Sequence, residues 1–293
     1  MKNATTQITK TYKIGAHLSA AGGYANALTK LQEIGGNCLQ IFASPPRNWT
    51  NANQTDGQKQ EFVELKSKLQ VDPIYFHATY LINLSDDARI GEFSKKILID
   101  ELKLASTIGV RGSVVHLGSF KEKLPDEEVF REHPKHAILL KNLSKILEQT
   151  PNDSLLIIEN AGTHKIGASI AEIGFLIKTL QDKRVKVCLD TCHLHAGGFD
   201  LSSETKLNLF LETFDKLVGI QNLELFHAND SRDELGSYRD RHENIGEGKI
   251  GKNVFRNLLN SPVTKNKPFI IETPGFDKKG PDLKNLEILK ALR

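Results

Sequence analysis

The chain of 293 residues carries 39 Lys and Arg against 36 Asp and Glu, a formal net charge of +3, with 39% apolar and 26% charged residues. That balance excludes a long disordered tail, a collagen and a disulfide scaffold. A pI of about 8.6 permits a polyanionic partner without arguing for one, and no apolar run approaches the ~20 residues that cross a bilayer.

The opening MKNATTQITK lacks the apolar stretch of a secretory signal. Three cysteines, Cys38, Cys188 and Cys192, suit a reducing compartment, so a cytoplasmic location is expected. Cys188 and Cys192 form a single CxxxC, which reads as buried or supporting thiols rather than as a redox or zinc pair. No linker or composition break divides the chain. It reads as one domain over 1–293, with 1–11 a short N-terminal extension.

In chain order, short β-branched runs predict strands at 12–17, 38–42, 73–77, 113–116, 155–159, 185–190, 223–227 and 268–272. Between them, apolar residues spaced by three and four predict amphipathic helices at 22–34, 57–69, 94–108, 136–147, 169–180, 204–218, 252–259 and 283–292. Phe62, Leu65 and Leu69 share one such face; Ile97, Leu98, Leu102 and Leu104 share another. Eight strands, each followed by a helix, predict an α/β fold, a single-domain (β/α)8 TIM barrel. A doubly wound open sheet is the alternative, but no Gly-x-Gly-x-x-Gly follows the first strand.

Six of the eight strand runs end in a possible metal ligand: His77, His116, Glu159, Asp190, His227 and Glu272. His, Asp and Glu together are 46 of 293 residues, so composition alone does not produce six such endings. In a barrel the strand ends converge on one mouth. Three carboxylates and three imidazoles cannot sit there unpaired, and metal cations resolve the problem. Imidazole with carboxylate suits zinc or manganese, and the His content favours zinc. His193, Asp240 and His242 lie just past strand ends. Nine candidates at three per ion suggest three metals near one phosphate.

Other histidines read differently. His133 and His136, in DEEVFREHPKH, are expected on the solvated surface, and His164 in a loop. His195 is expected to support the ligands. His17 ends the first strand and either supports a ligand by hydrogen bonding or touches substrate. Arg47 and Trp49 read from the residues alone as a solvated loop; Tyr80 and Leu81 read equally as packing beneath one.

The stretches GAHLSAAGG (15–23), HATYLINL (77–84), VVHLGS (114–119), IIENAGT (157–163), VCLDTCHLHAGGFDL (187–201), FHANDSRDELGSYRDRHENIGEG (226–248) and IIETPG (270–275) occur in this order over nearly the whole chain. In them the chain resembles endonuclease IV, the zinc-dependent apurinic/apyrimidinic endonuclease family of DNA base-excision repair, on a xylose-isomerase-like barrel. The resemblance implies a cofactor of three zinc ions per chain. His77, His116 and Glu159 would hold the first; Glu159 would bridge to the second with Asp190, His227 and Glu272; His193, Asp240 and His242 would hold the third. It implies a catalytic part for Glu159, and DNA-opening side chains at Arg47, Tyr80 and Leu81.

The implied reaction is hydrolysis of the phosphodiester 5′ to an abasic site in double-stranded DNA, leaving a 3′-hydroxyl and a 5′-deoxyribose phosphate, with removal of 3′-blocking groups. A cytoplasmic monomer with no membrane partner is expected. Arg232 stands where the family usually shows Lys, Lys186 where Gly or Arg is usual, and Ser85 where a smaller residue is common. The rival readings are a metal-dependent sugar isomerase or epimerase on the same barrel, which needs one or two metals, and a non-catalytic DNA-binding relative, which should have lost a ligand.

Overall fold

The computed structural model describes residues 12–50, 54–121, 134–162 and 165–293. The N-terminal extension, His133 and His164 lie outside the described residues. Eight parallel strands close into a barrel: β1 (Ile14–His17), β2 (Leu39–Phe42), β3 (Ile74–His77), β4 (Gly112–Val115), β5 (Leu155–Glu159), β6 (Val185–Asp190), β7 (Leu223–His227) and β10 (Phe269–Ile271). Each pairs with its neighbours in sequence order, and β1 closes on β10 with Ala16 opposite Ile271. Every predicted strand is present: β5, β6 and β7 have the predicted bounds, and the other five differ by a residue or two at their ends.

The helices are α1 (Tyr24–Glu33), α2 (Asp56–Leu69), α3 (Arg89–Ile108), α4 (Pro134–Glu148), α5 (Ile170–Leu180), α6 (Thr191–Ala196), α7 (Glu204–Leu217), α8 (Lys252–Asn260) and α9 (Leu283–Ala291). Several of their starts are set by side chains that accept otherwise unpartnered first-turn N–H groups. Thr55 and Gln58 form a reciprocal capping box; Ser169, Ser203 and Asp282 cap α5, α7 and α9. Helix α6 was not predicted. Asp190, the last residue of β6, caps it by accepting the His193 N–H.

A second unpredicted element is an antiparallel pair, β8 (Asp230–Ser231) with β9 (His242–Glu243). The buried Asp230 carboxylate accepts backbone N–H groups from Ser231, Gly246 and Ile250 at 2.8–2.9 Å, folding the GEG turn against this pair. A Cβ at Gly248 would fall 2.4 Å from the Ser231 carbonyl oxygen, so the turn requires glycine there.

The barrel interior explains where the site forms. Tyr75, Val114, Ile157, Cys188, Leu225 and Ile270, one from each of six strands, make a fully buried cluster with Cys38, which immediately precedes β2. Gly15 completes it from β1, where a Cβ would overlap the Cys38 carbonyl. Side chains alternate faces along a strand. The next inward positions, two residues on, are His17, Gln40, His77, His116, Glu159, Asp190, His227 and Glu272. An apolar plug thus underlies a polar set at the C-terminal mouth, where barrels carry their sites.

Candidate metal centre at the barrel mouth

Glu159, almost fully buried, stands among four imidazoles. Its Oε2 lies 3.1 Å from His77 Nε2 and 3.2 Å from His116 Nε2; its Oε1 lies 3.0 Å from His227 Nδ1 and 3.3 Å from His193 Nδ1. Burial alone would raise this carboxyl's pKa, but His116, His227 and His193 hold it well below the usual range. A second focus is Asp240, whose Oδ1 is 3.0 Å from His193 Nε2 and 3.3 Å from His242 Nε2. His242 Nε2 also faces Asp190 Oδ2 at 3.6 Å.

Ligand-type atoms lie within 4.8 Å of one another in four overlapping groups among the described residues. His77, His116 and Glu159 form one, and Glu159, Asp190, His227 and Glu272 form another, so the carboxylate expected to bridge belongs to both. Around the third expected set the grouping is wider. Asp190 joins His193 and His242, while Cys192 joins Asp240 and His242. His242 Nε2, His116 Nδ1 and His17 Nε2 are buried with no hydrogen-bond partner. A buried ring nitrogen that faces two carboxylates without hydrogen bonding to either is an unmet demand, and a divalent cation between them meets it. The residues present fit such ions.

Three of the rings are aimed by their other nitrogen. His77 Nδ1 contacts the Ala78 carbonyl at 2.8 Å, His193 Nδ1 the Asn160 carbonyl at 2.9 Å, and His242 Nδ1 the Glu272 carbonyl at 3.3 Å. Such outer contacts fix tautomer and orientation at metal sites. Asn229 donates from Nδ2 to Asp190 Oδ2 at 2.7 Å and accepts the Glu272 N–H at 2.7 Å. Asn160 accepts the Asp190 N–H at 2.6 Å. Sequence reading passed over both asparagines and Gln40; their signal was an amide at, or just beyond, the inward end of an apolar strand. His17 is resolved as support, its Nδ1 lying 2.6 Å from Glu272 Oε1. His195 Nε2 contacts the Asp233 carbonyl at 3.2 Å, away from these groups.

The expected surface position of His136 is corrected. Helix α4 turns it inward with Leu139 and Leu143, and its Nε2 meets Glu172 at 2.9 Å. Trp49 also departs from its solvated-loop reading, packing on the core with its ring 5.6 Å from Phe93. Arg47 is exposed as expected. Tyr80 is 62% exposed, its ring edge-on to Phe42 at 5.3 Å and 6.1 Å from His77, while Leu81 is half-buried. The Pro46 carbonyl accepts from Thr79 Oγ1 at 2.7 Å and from the Tyr80 N–H at 3.2 Å, so the loops after β2 and β3 are tied to each other. A cavity of about 1090 Å3, bordered by His17, Phe42, Tyr80, His242 and Glu272, opens beside them.

The three sequence departures leave these groups untouched. Arg232 pairs with Glu243 at 3.2 Å, Lys186 bonds the Gln221 carbonyl at 3.2 Å, and buried Ser85 bonds Asn83 and the Ser119 carbonyl. All three cysteines are free and buried.

Residues 28–292 match the model of the xylose isomerase-like TIM barrel family. The chain is 34% identical over 283 residues to a probable endonuclease 4 of Halothermothrix orenii, covering 95% of this chain and 99% of that one. It is 35% identical over 286 residues to another from Solibacter usitatus, covering 96% of each. The crystal structure of endonuclease IV from Thermus thermophilus superposes with a TM-score of 0.82 at 32% identity, covering 96% and 98% of the two chains. A D-tagatose 3-epimerase-like protein, at 19% identity and a TM-score of 0.69, shares the fold.

Proposed function

Since the chain belongs to the xylose isomerase-like TIM barrels and, among them, to the endonuclease IV family of DNA-cleaving hydrolases, we propose that it incises duplex DNA 5′ to abasic sites with three zinc ions. The products are a 3′-hydroxyl and a 5′-deoxyribose phosphate, and 3′-blocking groups are removed at the same centre. The observation that carries this reading is the set of imidazoles and carboxylates gathered around Glu159 and Asp240 at one barrel mouth.

His77, His116 and Glu159 would hold one ion; Glu159, Asp190, His227 and Glu272 a second; and His193, Asp240 and His242 a third, with Asp190 and Cys192 also within reach of that group. Bound zinc supplies Lewis acidity at neutral pH and positive charge against phosphate oxygens. Glu159, the carboxylate shared by two of these groups, would place negative charge beside the attacking water, and that is its catalytic part. Arg47, Tyr80 and Leu81 enter the duplex where a base is missing. An abasic nucleotide has no base to unstack, so extruding it costs less than flipping a normal one. The chain acts as a cytoplasmic monomer; no helix among the described residues is long and apolar enough to cross a membrane.

Incision of a synthetic abasic duplex, before and after metal stripping and zinc return, tests the reading. Cutting that is lost with the metal and restored by zinc, with about three ions per chain by elemental analysis, is the expected result. A single bound ion, with turnover of a ketose and no incision, would replace it with the epimerase reading.

A further inference from the structure

Eight inward positions meet at the mouth, and seven of them carry imidazole or carboxylate; the eighth is Gln40 on β2. Its side chain is fully buried. An amide there is costly unless each end is satisfied, and both ends are. Nε2 donates to Glu272 Oε1 at 2.8 Å, and Oε1 lies 2.9 Å from His227 Nε2. The same Nε2 is 3.1 Å from His17 Nδ1, which itself reaches Glu272 Oε1 at 2.6 Å.

The polarity of these contacts follows from the chemistry of the groups. An ionised carboxylate only accepts, so the NH2 end of Gln40 must face Glu272. The amide oxygen then faces His227 and only accepts, so the proton of a neutral His227 ring must sit on Nε2. That leaves the Nδ1 lone pair pointing at Glu159 Oε1, at 3.0 Å, and at Glu272 Oε2, at 3.5 Å. On Glu272, Oε1 is taken up by Gln40 and His17, leaving Oε2 for the cluster. One amide thereby sets two ligands contributed by different strands, β7 and the end of β10.

We propose that Gln40 is a positioning residue that fixes which nitrogen of His227 and which oxygen of Glu272 face the second metal group, and so holds the metal there more tightly than the ligands alone would. This rests on the three-zinc reading. Outer partners of this kind change metal affinity by about 10–100-fold, and Gln40 touches ligands of only one group.

The experiment is chelator competition on the zinc-loaded full chain, wild type against Gln40→Met, with metal per chain as the readout. The variant should release one ion in three at a chelator concentration lower by about 10–100-fold, with the other two unmoved. Release of all ions together, or a curve identical to wild type, would overturn the assignment while leaving the three-zinc reading standing. A wild-type chain that binds no zinc would overturn both. Should Gln40→Met fail to fold, ring-nitrogen NMR of histidine-labelled wild type reads the same claim. A buried ring protonated at Nε2, in contact with the Gln40 side chain and with Nδ1 on the metal, supports it; the opposite tautomer refutes it.

Discussion

Glu159 touches both oxygens' worth of partners, two imidazoles on each, and belongs to two metal-capable groups. Glu159→Gln keeps its shape and removes the charge between the proposed cations. Turnover on an abasic duplex should fall by at least the ~10²–10⁴ typical of one acid–base group, while binding to the same duplex changes by less than about tenfold, because phosphate contacts dominate affinity. Single-turnover incision and a binding titration measure the two, with metal content and circular dichroism alongside. A variant that keeps its ions and cuts near the wild-type rate would refute the role of Glu159. At this scale the titratable residues were legible because the strand period of two sends 77, 116, 159, 190, 227 and 272 to one mouth. The amides were not: Gln40, Asn160 and Asn229 carry no charge that demands compensation, so their place on or just beyond an apolar strand was a weaker mark than a charge would have been. His136 misled for the converse reason. Its neighbours are charged, yet its phase on α4 follows Leu139 and Leu143 into the core.

Among elements, the loops after β2 and β3 present Arg47 and Tyr80 from one tied unit, through Thr79 and the Pro46 carbonyl. Arg47→Ala and Tyr80→Ala should therefore reduce discrimination between abasic and intact duplex more than overall DNA affinity, since side chains that enter a duplex act through its deformation while phosphate contacts set general affinity. Paired binding titrations on the two duplexes check this; equal losses on both would remove the wedge assignment. The eight strands and their main helices were readable because each exceeds one period of its pattern. Helix α6 has six residues and β8 and β9 two each, too short for periodicity to register. Asp190 starts α6 while its other oxygen faces the site, so the cap that builds the helix also delivers His193.

For the whole molecule, protons and metal ions compete for one buried set of bases. Burial opposes protonation of His242, but Asp190 and Asp240 raise its pKa to about 9; His193 and His227 lie well above their usual value for like reasons. These folded values exceed the unfolded value of ~6.5. The contribution of His242 is therefore complete below about pH 6.5 and lost as pH rises through about 9, on the order of 3 kcal/mol, and those of His193 and His227 are likewise lost as pH rises. Metal-stripped protein should lose more melting temperature across that window than zinc-loaded protein, because in the loaded form the ions replace the protons. Buried Glu101, whose pKa burial raises to about 8, weakens both forms alike and cancels in the comparison. Parallel slopes for stripped and loaded protein would show that these imidazoles do not meet metal.

The hydrogen bond from His17 to Glu272 spans 255 residues of chain, and β1 closes on β10. The group of His77, His116 and Glu159 is complete once residue 159 has been made; the others wait for His242 and Glu272. The ligand-type groups are therefore completed in chain order as the protein is made, the first of them well before the strand that seals the barrel. An ion captured early would tether β3, β4 and β5 while the rest of the chain is still emerging, and the last ion would enter only when the final strand is released to shut the ring.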